Sequence, residues 1–134
     1  MIEAYIQQID ELLSACDDVV DVIVLRRNQW QTDWEKVLNY RYRVILADGG
    51  LIEMTERVLE IGGRLEVTKY RHHWQDANEN LIKRWDNAPH HRQVETFPHH
   101  LHDGSEDNVV AHISITGLDV LKHILTDWKN GFLS

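Results

Sequence analysis

Cysteine is almost missing from this 134-residue chain: Cys16 stands alone. No internal disulfide can form, and a reducing compartment is the expected setting. Long apolar runs are also missing. The longest are a few residues, such as Val22-Ile23-Val24-Leu25, far short of a bilayer span. The opening Met1-Ile2-Glu3-Ala4 lacks the basic-then-apolar order of a secretory signal, so a cytoplasmic protein without membrane contact is expected. Positive charge is scarce, with 14 Lys and Arg against 22 Asp and Glu and a net charge of −8. That balance argues against broad electrostatic wrapping of nucleic acid. Proline occurs only at Pro89 and Pro98, which confines its chain-breaking effect to one stretch.

What is present is the makeup of a folded domain. Hydrophobic residues form 43% of the chain and charged residues 27%, enough apolar surface for one core of this size. Residues 1–134 are expected to form a single α+β domain. Ile2, Tyr5, Ile6, Ile9, Leu12 and Leu13 follow the spacing of one helix face. Asp17 and Asp18 oppose the negative end of the helix dipole, so the helix should stop near Ala15. Extended segments follow at Val19 to Leu25, Tyr40 to Leu46, Leu51 to Leu59, Arg64 to Trp74 and Asn80 to Trp85. They are separated by turns at Asp48-Gly49-Gly50, Gly62-Gly63 and Asp76 to Asn80. Pro89, Pro98 and Gly104 mark an irregular loop to about Asp107, and Asn108 to Ile113 suits a short further strand. Thr116 and Asp119 resemble a capping box. Leu118, Leu121, Leu125 and Trp128 then make a stripe that ends at Gly131. The expected fold is an antiparallel meander of about five strands, with the N- and C-terminal helices packed on one face.

Chemistry concentrates between Lys69 and His102. Seven of the nine histidines lie there, at 72, 73, 90, 91, 99, 100 and 102. The segment holds five Lys and Arg against four Asp and Glu, or +1, which leaves −9 for the rest of the −8 chain. Imidazoles titrate near pH ~6.5, so a local anion site is compatible with an acidic whole. Arg84 and Asp86 share one face of the fifth strand, while Lys83 and Trp85 share the other. The strand then runs straight into the histidine loop. One chemistry that suits the cluster is RNA cleavage without a metal or other cofactor. His91, His100 and His102 would supply acid and base beside Arg84 and Asp86, and Lys83, Arg71, His90 and His99 would hold substrate. Another is a metal-dependent hydrolase whose ion would be held from among His90, His91, His99, His100 and His102, with Asp86 as a further candidate ligand. A third is a non-catalytic protein-interaction module. Set against all three, Arg84–Asp86 reads equally well as a surface ion pair, His90-His91 as a solvated loop, and Arg41 and Arg43 as the wet face of a sheet. The five tryptophans read as core or helix packing, and His112 and His123 as structural.

The run Arg84-Trp85-Asp86-Asn87-Ala88-Pro89-His90-His91, followed by Thr96-Phe97-Pro98-His99-His100-Leu101-His102, resembles the TumE family of toxin components from bacterial toxin–antitoxin modules. The likeness is loose over most of the chain and specific between about Arg71 and His102. Trp85 stands where many relatives carry Tyr, so an aromatic is kept. The resemblance implies a growth-inhibiting protein neutralised by a helix-turn-helix antitoxin. RNA as the target, and weak self-association as a homodimer, complete the expectations.

Overall fold

The computed structural model describes residues 1–129, with side chains described to Thr126. Its elements are α1 (Ile2–Ala15), β1 (Val19–Gln31), β2 (Glu35–Leu46), β3 (Leu51–Ile61), β4 (Arg64–Gln75), β5 (Leu81–Asp86), β6 (His100–Asp103), β7 (Val109–Ala111) and α2 (Gly117–Lys129). The strands form one antiparallel sheet in sequence order, β1 to β7. The α+β class, the meander and a helix at each end match the expectation from sequence. The sheet has seven strands among the described residues, where about five were expected.

α1 buries Ile2, Tyr5, Ile6, Ile9 and Leu13, the stripe its spacing sets out, and Cys16 is already extended (φ −94°, ψ 116°). In α2, Val120, Leu121, Ile124 and Leu125 turn inward, and Thr116 Oγ1 accepts from the Asp119 amide at 3.1 Å as the capping pattern requires. The Trp128 side chain and the Gly131 stop lie outside the described residues. Both helices join a single apolar cluster with Leu38, Tyr42 and Val44 of β2, Ile52 and Met54 of β3, Trp74 of β4 and Trp85 of β5. Each large side chain so buried contributes about 1.5–3 kcal/mol.

Glu56 sits inside this cluster. Its carboxylate accepts hydrogen bonds from Tyr5 (2.7 Å), from Tyr40 and from the Gly117 amide (3.0 Å), so one buried group ties α1, β2, β3 and α2 together. Burial pushes its pKa up, against the pull of its three donors. A Cβ at Gly117 would meet the Tyr40 hydroxyl and the Glu56 carboxylate, so the helix must start on glycine here. At the β3–β4 hairpin, Gly62 and Gly63 both have positive φ (58° and 75°), the backbone that a tight two-residue turn needs.

Three departures from the sequence reading have physical causes. β1 runs on to Gln31 and β2 begins at Glu35. β1 is an edge strand with little buried side, so Arg26 to Gln31 show no apolar alternation, and a bulge between Val24 and Arg26 breaks the period. The third departure is β6, inside the expected loop. His100, Leu101 and His102 alternate faces, with all three buried. Reading histidine as polar concealed the strand.

Candidate functional site

Cross-strand partners in an antiparallel sheet share a face. The register therefore separates a helix-covered face, carrying Tyr42, Met54, His72, Trp85 and Leu101 in one row, from an opposite face free of helices. On that second face one row reads Arg41, Thr55, Arg71, Asp86 and His100, and its neighbour reads Arg43, Glu53, His73, Arg84 and His102. Neither row is continuous in sequence. Each is assembled one residue per strand.

At the β5–β6 end, the segment 87–99 folds back over these rows. Asp86 Oδ1 accepts from the Ala88 amide at 3.0 Å, and Asn87 Oδ1 from the Tyr70 amide at 3.0 Å, which fixes where the loop leaves the strand. The return is fixed by Thr96, whose Oγ1 donates to His99 O (2.6 Å) and accepts from the His112 amide (2.9 Å). His91 thereby comes to rest on the two histidines of β6. Ring centroids lie 4.8 Å apart for His91–His100, 5.4 Å for His91–His102 and 5.0 Å for His100–His102. Beneath them Asp86 is buried, with His100 Nε2 at 3.0 Å from Oδ1 and His102 Nε2 at 3.5 Å from Oδ2. The far nitrogens are tethered: His100 Nδ1 donates to Pro98 O (2.8 Å) and His102 Nδ1 to Glu106 O (2.9 Å).

Arg84 completes the wall. Its guanidinium donates twice to the Glu106 carboxylate, once at 2.7 Å through Nη1, and this pairing holds Glu106 below the usual carboxylate range. Arg84 Nε has no hydrogen-bond partner and lies 3.6 Å from Asp86 Oδ2. With side chains only 11% and 7% exposed, Arg84 and Asp86 are not a surface ion pair. His91 is half-buried; desolvation first, then the two neighbouring imidazoles, push its pKa down.

These groups line a cleft of about 600 Å³. It gathers five residues singled out from sequence, Arg84, Asp86, His91, His100 and His102, together with Arg71 and exposed His90 at its rim. Two others go elsewhere. Lys83 pairs with Trp74 and Asp103 on the helix-covered face. His99 turns away to bond Tyr70 through Nδ1 at 2.9 Å and stack on its ring. Glu106, which anchors both Arg84 and His102, was not legible in the sequence, since it lies in a polar turn with nothing to mark it.

The open face also carries a surplus of cations. Arg26, Arg41, Arg43, Arg57, Lys69 and Arg71 are on it by register, and Arg84 extends the series. Arg64 joins them by register, and the carboxylates on the same face are Asp21, Glu35, Glu53, Glu66 and Asp86. Glu53 is taken up by Arg43 (2.6 Å) and Arg41 (3.6 Å). Arg26, Lys69 and Arg71 have no carboxylate within ion-pairing distance among the described residues. A chain of net charge −8 thus presents one basic face, and the histidine cluster stands at its end.

A family model described as Toxin TumE matches residues 9–130 of the chain. No curated protein and no solved structure gives a significant match.

Proposed function

The chain belongs to the TumE family of toxins and is thus a toxin component of a toxin–antitoxin module; we propose that it acts by cleaving RNA at the Asp86, His91, His100 and His102 cluster. The observation that carries this reading is the basic sheet face leading to that cluster in an otherwise acidic protein. RNA offers a repeated phosphate charge that such a face attracts. Arg71, whose neighbour across the strand is Asp86, would hold the phosphate next to the reacting bond. Charge of this kind, fixed before the substrate arrives, is what stabilises a phosphoryl transition state.

Cleavage by an acid and a base drawn from the loop histidines needs ring nitrogens free to face the substrate. His91 has one to offer. At His100 and His102 one nitrogen is held by a backbone carbonyl and the other faces Asp86, an arrangement that suits ligation better than proton transfer. The test is direct incubation of tag-free protein with single-stranded and structured RNA, comparing wild type with His91→Ala, His100→Ala, Arg84→Ala and Arg71→Ala. Wild type should cut, and each variant should cut at least about 10²-fold more slowly. Intact RNA with wild type, or equal cutting by all the variants, sinks the nuclease reading.

For the antitoxin, a basic helix-turn-helix protein fits the acidic surplus outside the open face, by charge complementarity. A non-catalytic interaction module is the second reading. It draws on the exposed Val20, Val24 and Leu25 of β1, an edge strand with a free hydrogen-bonding side that another chain could extend. Toxicity that survives the histidine substitutions would favour it.

A further inference from the structure

A backbone carbonyl can only accept, so the Nδ1 atoms of His100 and His102 carry the protons in their bonds to Pro98 O and Glu106 O. In a neutral ring the lone pair then belongs to Nε2. Both Nε2 atoms aim at the same buried carboxylate, as a pair of metal-ligating histidines would, each with its outer nitrogen fixed by a carbonyl. The separations agree. Ligands at about 2.0–2.1 Å from a tetrahedral ion lie roughly 3.3 Å from one another, and the two Asp86–imidazole distances, 3.0 and 3.5 Å, bracket that value. The longer one is beyond a good hydrogen bond, and it leaves Asp86 Oδ2 with only Arg84 Nε, at 3.6 Å, as its other close cationic neighbour.

His91 supplies a third donor. The ligand nitrogens of His91, His100 and His102 all lie within 4.8 Å of one another. Their rings meet at 66°, 77° and 73°, a propeller rather than a stack. The contraction needed to bring three nitrogens onto one ion falls on His91, which sits on a loop, while the other two are held in a strand. The nearest fixed positive charge is Arg84, and Glu106 already neutralises it. Glu106 thus serves the cluster twice, with its carboxylate on Arg84 and its carbonyl on His102.

We propose that His91, His100 and His102, with the Asp86 carboxylate as fourth donor, form a binding site for one divalent transition-metal ion of the zinc class. Three imidazoles and one carboxylate select zinc, cobalt or nickel over magnesium and calcium, which favour oxygen donors. The ion would stand at the end of the basic face, where it can polarise a phosphate oxygen. This inference concerns the cluster proposed above as the reaction centre, but its primary readout is metal content.

The experiment uses full-length protein with any affinity tag removed, stripped with a chelator, dialysed and titrated with Zn(II), Co(II), Mg(II) and Ca(II) by calorimetry and elemental analysis. One equivalent of zinc should bind, cobalt should give the intense visible absorption of a tetrahedral site, and magnesium and calcium should give no response. His91→Ala and His102→Ala should each weaken zinc binding about 10-fold or more, while His112→Ala, away from the cluster, should leave it unchanged. Far-UV dichroism reports whether each variant is folded; loop residue His91 decides the matter if His102→Ala is not. Substoichiometric binding by wild type, or wild-type affinity in folded His91→Ala, overturns the proposal. RNA cutting is scored on the same samples. Zinc bound without cutting removes the nuclease reading and keeps the metal site, whereas cutting by stripped protein that binds no metal does the reverse.

Discussion

Single residues here carry obligations that composition does not reveal. Gly117 faces Tyr40 and Glu56 so closely that a methyl group must displace one of them. Gly117→Ala should cost about 1–3 kcal/mol, the range for overpacking a filled core, and appear as a lower urea midpoint with an unchanged slope. His72 is fully buried, and burial holds its pKa down at about 3 against the usual 6.5. The folded protein refuses a proton that the unfolded chain accepts. Stability is therefore lost as pH falls below about 6.5, and the loss is complete near pH 3. Glu56, 4.0 Å away, works in the opposite sense: its raised pKa adds a penalty only as pH rises above the ordinary carboxylate range, so acidification relieves it. His72→Phe, which keeps a ring beside Tyr70, should reduce the stability difference between pH 7 and pH 5. An unchanged difference in urea melts would show that His72 is not the group being titrated.

At the scale of the element, β6 is short but fixes the geometry of the cluster. Its two histidines point to the open face only because Leu101, between them, is buried in the core. A slip of one residue would exchange the faces and place both imidazoles under the helices. Leu101→Ala should destabilise the protein by about 2–4 kcal/mol. It should also weaken metal binding in the folded fraction, although the Leu101 side chain is not one of the proposed donors. Equal zinc affinity in Leu101→Ala and wild type at a temperature where both are folded would show that the cluster does not depend on the packing of β6.

For the whole molecule the governing feature is charge segregation. The open face is basic while the net charge is −8, so overall charge does not describe what a polyanion would meet on that face. RNA affinity should fall with rising salt, with each phosphate contact adding about 0.7 to the slope of log K against log salt for a single strand. Reversing Arg26, Arg41 and Lys69 together to Glu should weaken binding strongly and flatten that slope, with the fold intact because all three are exposed. Binding by the triple variant with the wild-type slope, measured by fluorescence anisotropy on labelled single-stranded RNA, would move the RNA track off this face. Among the described residues no helix is long and apolar enough to cross a membrane.

The sequence by itself determined the presence of the two helices, three of the hairpin turns and the first five strands, but not the full length of β1 and β2 or the turn between them. Each feature so determined is encoded by local periodicity or by glycine and asparagine chemistry that a few neighbouring residues suffice to express. It also marked the histidine-rich segment, because identity and clustering are one-dimensional facts. What belonged to tertiary structure was everything that depends on which strand lies beside which. Arg41 and Arg43 read as an ordinary wet sheet face until register aligned them with Arg71, Asp86 and His100. His99 and His100 are adjacent in sequence, yet one leaves for Tyr70 and the other joins Asp86. Alternation sends neighbouring side chains of a strand to opposite faces, while pairing brings together residues tens of positions apart, and only the folded sheet fixes both at once.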